Sequence, residues 1–396
     1  MADSPESRYS FNLTVGSEQT PLNLRAFTIF VSDSIHSLCP QVGMFTNDIS
    51  GLTLESRLNI IGQNIMLSMY DGMHEASWPL TCTSYEMPKS DTMNGLAGAL
   101  QLMFKHTAKF SSKEPKGWTD SSPADVFKDV ISKANQDFNS FTKNTQKAPL
   151  VEISGTSECV SYPLILNPGY DAEKFIDEIL LPLSTDGSPS GTPFCAYIDA
   201  ENKAHFESLK NIIDKASSRS LVFGKQPDAE TGSIALVTLQ NFSQDYNKIV
   251  DFVDESFVFF NEKREITSQD VSLSKTFKPL ALMKNTASGT LLSPERYSNA
   301  IDVNEEFGKI NQKRKKGLLF DKLVASTMMD LTLCAGKTID LDVCLNIASH
   351  EKAESYSGKY VIEASKHLWD PGSLMGYTYL VLGRVSMEVR GKELYQ

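Results

Sequence analysis

Apolar and polar positions alternate with a strand-like period over the N-terminal part of the chain. Phe11, Leu13 and Val15 share one phase, and Leu22 to Val31 continues in the same manner. A turn-rich piece, Thr46 to Gly51, precedes Gly62 to Tyr70, where Ile65, Leu67 and Met69 fall on one side. Leu80 to Met87 and Ala99 to His106 each supply a further strand, and Leu100, Leu102 and Phe104 share a face. Short strands separated by turn signals predict a closed barrel or sandwich.

The period changes near Lys113. In Ser121-Ser-Pro-Ala-Asp a capping serine, a proline at the first helical position and an acid in the first turn open a helix. Val126, Phe127, Val130, Ile131 and Ala134 then lie at helical spacing, which predicts a helix over 121–134. A second helix is expected from Asp171, with Phe175, Ile176, Ile179 and Leu180 as its apolar stripe and Pro182 as its stop. Thr185 to Pro193 is a loop by composition, and Phe194–Ile198 and Ala204–Leu209 flank Asp199 to Lys203 as a hairpin.

From about Gly232 the pattern is β again, with Phe257 to Phe260 a clear short strand. Met329, Leu331 and Leu333 alternate up to a turn at Ala335-Gly336. Beyond it Ile339, Leu341, Val343, Leu345 and Ile347 alternate with Asp340, Asp342, Cys344 and Asn346, a strand with one buried face and one wet, partly acidic face. Ser357 to Leu368 and Tyr377 to Val385 flank Pro371-Gly372 and predict a long antiparallel hairpin, opened by Gly358. The fold class expected is therefore mainly β with an α/β module. A first antiparallel β-barrel covers 1–112, an intervening α/β module 113–230, and a second barrel 231–396 with an insertion at about 270–316.

Composition narrows the function classes. Hydrophobic content of 41% and charged content of 22% describe an ordinary globular chain. A net charge of −11 argues against nucleic acid as the main ligand, since phosphate binding wants a basic footprint. The one dense basic cluster, Lys309, Lys313, Arg314, Lys315 and Lys316, suits nucleic acid, an acidic protein partner or, the favoured reading, a solvated linker. No apolar run reaches the roughly 18 residues a spanning helix needs. The polar N-terminus has no signal-peptide core, so assembly in a cytoplasm is expected.

Candidate chemistry is sparse. The pattern contains no nucleophile elbow, P-loop, dinucleotide fingerprint or zinc-protease motif. The six cysteines (Cys39, Cys82, Cys159, Cys195, Cys334, Cys344) are scattered, which argues against structural zinc and for reduced, buried thiols. His36, His74, His106, His205, His350 and His367 stand apart in sequence and are read as packed or surface imidazoles. Asp340 and Asp342 share a strand face, more an acidic solvated surface than a catalytic pair. Trp78, Trp118 and Trp369 are read as surface-packing or interface anchors. No catalytic, cofactor-binding or metal-binding residue and no cofactor is assigned.

Two stretches resemble one family. Phe27-Thr-Ile-Phe-Val-Ser-Asp-Ser-Ile-His is followed by Phe45-Thr-Asn-Asp, Gly51, Leu58-Asn-Ile-Ile-Gly and Ile65-Met-Leu-Ser-Met. Their order is similar to the first tube-type barrel of the central baseplate hub proteins of contractile phage tails, also resembled by type VI secretion spike hubs. Ser357-Gly-Lys-Tyr-Val-Ile, His367 and Tyr377-Thr-Tyr-Leu-Val-Leu resemble the closing hairpin of that family's second barrel. The resemblance spans nearly the whole chain, apart from 270–316. It implies a homotrimer whose two tube-like barrels per subunit make a pseudo-sixfold ring. Such a ring adapts a hexameric tail tube, or tube-initiator protein, to a trimeric spike, with tape-measure and wedge proteins as further partners. A net-acidic chain suits a channel through which DNA slides without binding, with Asp340 and Asp342 as candidate lumen residues. The alternative is a β-rich hydrolase or carbohydrate-active module whose site assembles only in three dimensions.

Overall fold

The computed structural model describes residues 10–15, 26–47, 64–86, 99–106, 115–141, 151–184, 193–228, 232–241, 255–260, 266–271, 290–292, 321–344, 352–353, 356–370 and 375–384. Six strands open the chain: β1 (Ser10–Val15), β2 (Ala26–Ser34), β3 (Gln41–Asn47), β4 (Asn64–Tyr70), β5 (Glu75–Glu86) and β6 (Ala99–His106). The alternation of Ile65, Leu67 and Met69 buries that face of β4, as its period dictates. Strand β5 begins earlier than Leu80, because Ala76 and Trp78 continue its inward phase.

The intervening region holds β7 (Lys116–Ser121), helix α1 (Pro123–Phe141), β8 (Glu152–Thr156) and β9 (Tyr162–Asn167). Helix α1 starts as expected: Ser122 Oγ accepts the Asp125 N–H, and Val126, Phe127, Val130, Ile131 and Ala134 are buried. The next helical piece is α2 (Ala172–Phe175), a π-turn over Ile176–Leu180, and α3 (Leu181–Leu183). Pro182 therefore does not stop the helix, which ends at Ser184. The widened turn directly before the proline gives its ring room where a regular helix would set a carbonyl against it. The hairpin β10 (Phe194–Ile198) and β11 (Lys203–Ser208) pairs antiparallel, and β8 runs parallel to β11. Helix α4 (Leu209–Asp214) follows.

The remaining strands are β12 (Arg219–Phe223), β13 (Ile234–Asn241), β14 (Glu255–Phe260), β15 (Ile266–Val271), β16 (Thr290–Leu292), β17 (Asp321–Met328), β18 (Thr338–Val343), β19 (Gly358–Asp370) and β20 (Met375–Arg384). Strands β14 to β16 form a small separate sheet. Strand β17 ends at Met328, so the alternating Met329, Leu331 and Leu333 lie in an irregular link. All three are buried; their spacing marks burial in a turn-containing segment instead of a strand.

Twelve strands make one sheet, in the order β1-β4-β5-β6-β3-β2-β19-β18-β12-β13-β17-β20, and β20 pairs back on β19. That last pairing closes β19, β18, β12, β13, β17 and β20 into an antiparallel-rich ring. Strand β12, which the boundary expected at 230 leaves with the intervening module, pairs with β18 and β13 of this ring. The N-terminal strands hang on the other end of β19 and curl until Phe11 meets Trp369, ring centroids 4.6 Å apart. The 13-residue β19 is thus common to both halves: Gly358 to Val361 pair with β18, and Ala364 to Trp369 with β2. Each half has its own apolar core, with Trp78 and Trp369 in the first and Tyr360 and Ile362 in the second. Trp78, fully buried, is a core residue and not a surface anchor; Trp118 is half-buried and stacks on Phe175. Among the described residues no helix is long and apolar enough to cross a membrane.

Candidate functional site at the junction of the two halves

Strand β2 carries the first signal. Ile29 and Val31 point into the first core, and Asp33 occupies the next inward position. Opposite it on β19, Ser365 faces Asp33, His367 faces Val31 and Trp369 faces Ile29. A bulge between Ile362 and Ala364 shifts the phase of β19 by one residue. Tyr360 and Ile362 before the bulge, and Ser365, His367 and Trp369 after it, therefore line one continuous inner face. The polar residues sit where that face passes from one core to the other.

They are closed to solvent: Asp33 is 2% exposed, Ser365 2%, His367 0% and Thr378 0%. Asp33 Oδ2 accepts the backbone N–H of Ala200 at 3.1 Å and of Ala335 at 3.0 Å, and Oδ1 accepts a short bond from Ser365 Oγ. One carboxylate so joins the N-terminal sheet, the β10–β11 turn, the 329–337 link and β19. The Ser365 oxygen lies 3.3 Å from His367 Nε2, and His367 Nδ1 lies 3.0 Å from Thr378 Oγ1 on β20. Thr378 Oγ1 accepts the Asp330 N–H at 3.0 Å and stands 3.3 Å from the Asp330 carbonyl oxygen. Burial pushes the Asp33 carboxyl up to about 6, against the Ser365, Ala335 and Ala200 hydrogen bonds and with help from the Asp199 charge. Burial pulls the His367 imidazole down to about 4, despite Asp330 and Asp71.

A second carboxylate grips the same link from the turn between β4 and β5. Asp71 Oδ2 accepts the Leu331 N–H at 2.9 Å, and Oδ1 accepts those of Met73 and His74 at 2.8 and 2.7 Å. Burial alone would raise this carboxyl, but those donors and the nearby His74 hold it below the ordinary carboxylate value. Asp71, His74 and Asp330 bring ligand-type atoms within 4.8 Å of one another. Both Asp71 oxygens accept backbone N–H groups and Asp330 Oδ1 holds Thr332, whereas the buried His74 Nδ1, 3.5 Å from Asp71 Oδ2, makes no hydrogen bond among the described residues.

A third cluster belongs to the β10–β11 hairpin. His205 lies between Asp199 at 2.9 Å and Glu207 at 3.4 Å, and Tyr197 stacks on its ring at 4.8 Å. Burial opposes the imidazolium, yet the two carboxylates outweigh it and raise the His205 pKa. Gly336 lets the link pass over this cluster: its φ is +79°, and a Cβ there would lie 1.8 Å from the Tyr197 hydroxyl oxygen.

The residues singled out from sequence are distributed unevenly over these clusters. His367 and His205 are central, His106 bonds Asn202 at 2.8 Å, and His36 is exposed near Glu363. Asp342 pairs with Lys225, whereas Asp340 is exposed beside it on β18. Cys39, Cys82, Cys195, Cys334 and Cys344 are buried, and Cys159 is half-buried. His350 and the basic cluster at 309–316 lie outside the described residues. Sequence reading passed over Asp33, Asp71, Ser365, Thr378 and Asp330. The available signal was a polar residue in the apolar phase of a strand, as in Ile29-x-Val31-x-Asp33 and Ser365-x-His367-x-Trp369.

Serine, histidine and aspartate side by side invite comparison with a hydrolase triad, but the order is wrong. In a triad the carboxylate orients the imidazole, which in turn takes the serine proton. Here the carboxylate bonds the serine, and all three groups are shut from substrate. The arrangement welds structure together.

The architecture defines a class: a mainly β protein whose two halves share one continuous sheet across a single long strand, with an α/β module at the seam. Solved structures of that fold include tail proteins. The tail protein from Neisseria meningitidis MC58 matches with a TM-score of 0.57 at 10% identity, over 95% of this chain and 96% of that one. The 43 kDa tail protein of prophage MuSo2 from Shewanella oneidensis matches with a TM-score of 0.55 at 9% identity, over 95% and 98%. At such identities the likeness is one of fold, and at that level it agrees with the tail-protein resemblance read from the sequence. No protein-family model and no curated protein matches the chain.

Proposed function

We propose that this chain is a structural subunit of the baseplate hub of a contractile phage tail or a related injection machine. It assembles as a homotrimer whose paired barrels make a pseudo-sixfold ring. The ring adapts the hexameric tail tube, or its initiator, to the trimeric spike, with tape-measure and wedge proteins as neighbours, and lines the channel through which DNA passes. Its place is the virion tail, after assembly in the host cytoplasm. The domain scheme proposed with it is a first barrel, an α/β module and a second barrel. The observation that carries this reading is the fusion of two β halves through β19, because a threefold assembly needs two similar units per chain to face a sixfold tube.

The test is electron microscopy of the purified protein with light scattering. Threefold rings with a central channel, at three times the monomer mass, support the hub. A monomer that hydrolyses glycans would instead support the carbohydrate-active reading. The buried, misordered Asp33–Ser365–His367 set speaks against that second reading.

A further inference from the structure

We propose that Asp33, Ser365, His367 and Thr378 form a reversible hydrogen-bond chain: proton uptake by Asp33 reverses its direction and moves the His367 proton from Nε2 to Nδ1. This inference does not depend on the hub reading.

With Asp33 ionised, Ser365 Oγ donates to Asp33 Oδ1, so its lone pair is left to accept from His367 Nε2–H. His367 Nδ1 then accepts from the Thr378 hydroxyl, whose oxygen also accepts the Asp330 N–H. With Asp33 protonated, its O–H donates to Ser365 Oγ, and Ser365 donates to His367 Nε2. His367 Nδ1–H then donates to Thr378, and Thr378 turns its hydrogen to the Asp330 carbonyl oxygen, the contact already present at 3.3 Å. Every donor and acceptor is satisfied in both directions, which is what a buried polar chain requires. Protons balance. Each hydrogen moves one place toward Asp33, one enters at the Thr378 end beside the half-buried Asp330, and His367 is neutral before and after.

The surroundings make Asp33 the group that takes the proton. It faces the Asp199 carboxylate from the β10–β11 turn and the Cys334 thiol from the link, and among the described residues no cation is bonded to it. Around His367, Asp330 and Asp71 favour a positive charge, whereas burial and Lys337 oppose it. Burial prevails at the imidazole, so in the interval between about 4 and about 6 the carboxyl takes up the proton and the ring does not. The end of the chain is the 330–332 turn that Asp71 also holds, so the protonation state at β2 reaches the link between the halves.

The experiment is NMR of the full chain carrying 15N-labelled histidine, with His367 assigned by its loss in His367→Gln. The expected result is a shift of the protonated nitrogen, from Nε2 at neutral pH to Nδ1 in acid, with a midpoint at about 6. Asp33→Asn should hold Nδ1–H at neutral pH, because its amide donates to Ser365. Ser365→Ala should uncouple the tautomer from pH. One unchanging His367 tautomer across the titration overturns the proposal, as does imidazolium formation in that range. If Asp33→Asn does not fold, the wild-type titration and Ser365→Ala decide alone.

Discussion

Asp33 and Asp71 each accept three hydrogen bonds, one of them from the same link, yet their acidities move in opposite directions. Accessible surface hardly separates them, at 2% and 4%. Position does. Asp71 sits at the rim, beside the imidazole of His74 and the exposed Met73. Asp33 lies deep at the meeting of three parts of the chain, with a like charge, Asp199, for company. Backbone donors stabilise a carboxylate in both places, but only at the rim do they outweigh the loss of water. The rim carboxylate is a clamp that stays charged; the deep one is a weld whose charge is costly.

Removing each side chain should break this comparison most sharply. Asp33→Ala leaves the buried Ala200 and Ala335 N–H groups unpaired and should cost roughly 2–5 kcal/mol in denaturant unfolding. Asp71→Ala should cost less, because two of its three donors, the Met73 and His74 N–H groups, lie on a turn that water can reach. Equal losses would show that depth is irrelevant.

The pH dependence should have opposite signs. Asp33 titrates higher in the folded chain than the ordinary 3.8, so its contribution is fully present below that value and is lost as pH rises through about 6. The fall amounts to at most about 3 kcal/mol, and Asp33→Asn should abolish it in midpoints measured across that window. Asp71 is depressed, so its contribution is present above the ordinary carboxylate value and disappears only in stronger acid. Asp71→Asn should flatten the acid limb alone.

Two glycines test the link and the shared strand. Gly336→Ala sets a methyl against Tyr197 and strains a left-handed backbone, for a loss of roughly 1–3 kcal/mol. Tyr197→Phe should relieve only part, since the ring carbon Cζ is itself 2.3 Å from the added Cβ. At Gly358 a Cβ would meet no close atom, the nearest being Arg384 Nη1 at 3.7 Å, but the φ is +131°. The left-handed backbone alone should cost Gly358→Val about 1–2 kcal/mol. Because Gly358 starts β19, that variant is also expected to impair the proposed trimer, read by light scattering; undisturbed assembly would detach the strand's start from the proposed interface. The smallest effect belongs to Lys225→Ala, which opens the exposed pair with Asp342 and should change stability by under about 1 kcal/mol.

Periodicity alone located most of this fold. Strands β4, β6, β18 and the β19–β20 hairpin follow from alternating residues, and α1 from its cap, proline and apolar spacing. These are local rules, written into neighbouring positions. Met329, Leu331 and Leu333 show where such rules fail: burial produced a strand-like pattern in a segment that tertiary contacts hold as a turn. Pro182 shows a local stop signal absorbed by a π-turn.

The sequence by itself determined that the chain is mainly β, where two of its helices begin, and that its acids outnumber its bases. Only the tertiary structure decided that one strand serves both halves and that Asp33 meets Ser365 from 332 residues away. It also decided which acids keep their charge. Alternation states which side chains turn inward, but says nothing of what they will meet there. The fate of an inward carboxylate depends on depth, donors and neighbouring charge, and those exist only once distant strands have paired.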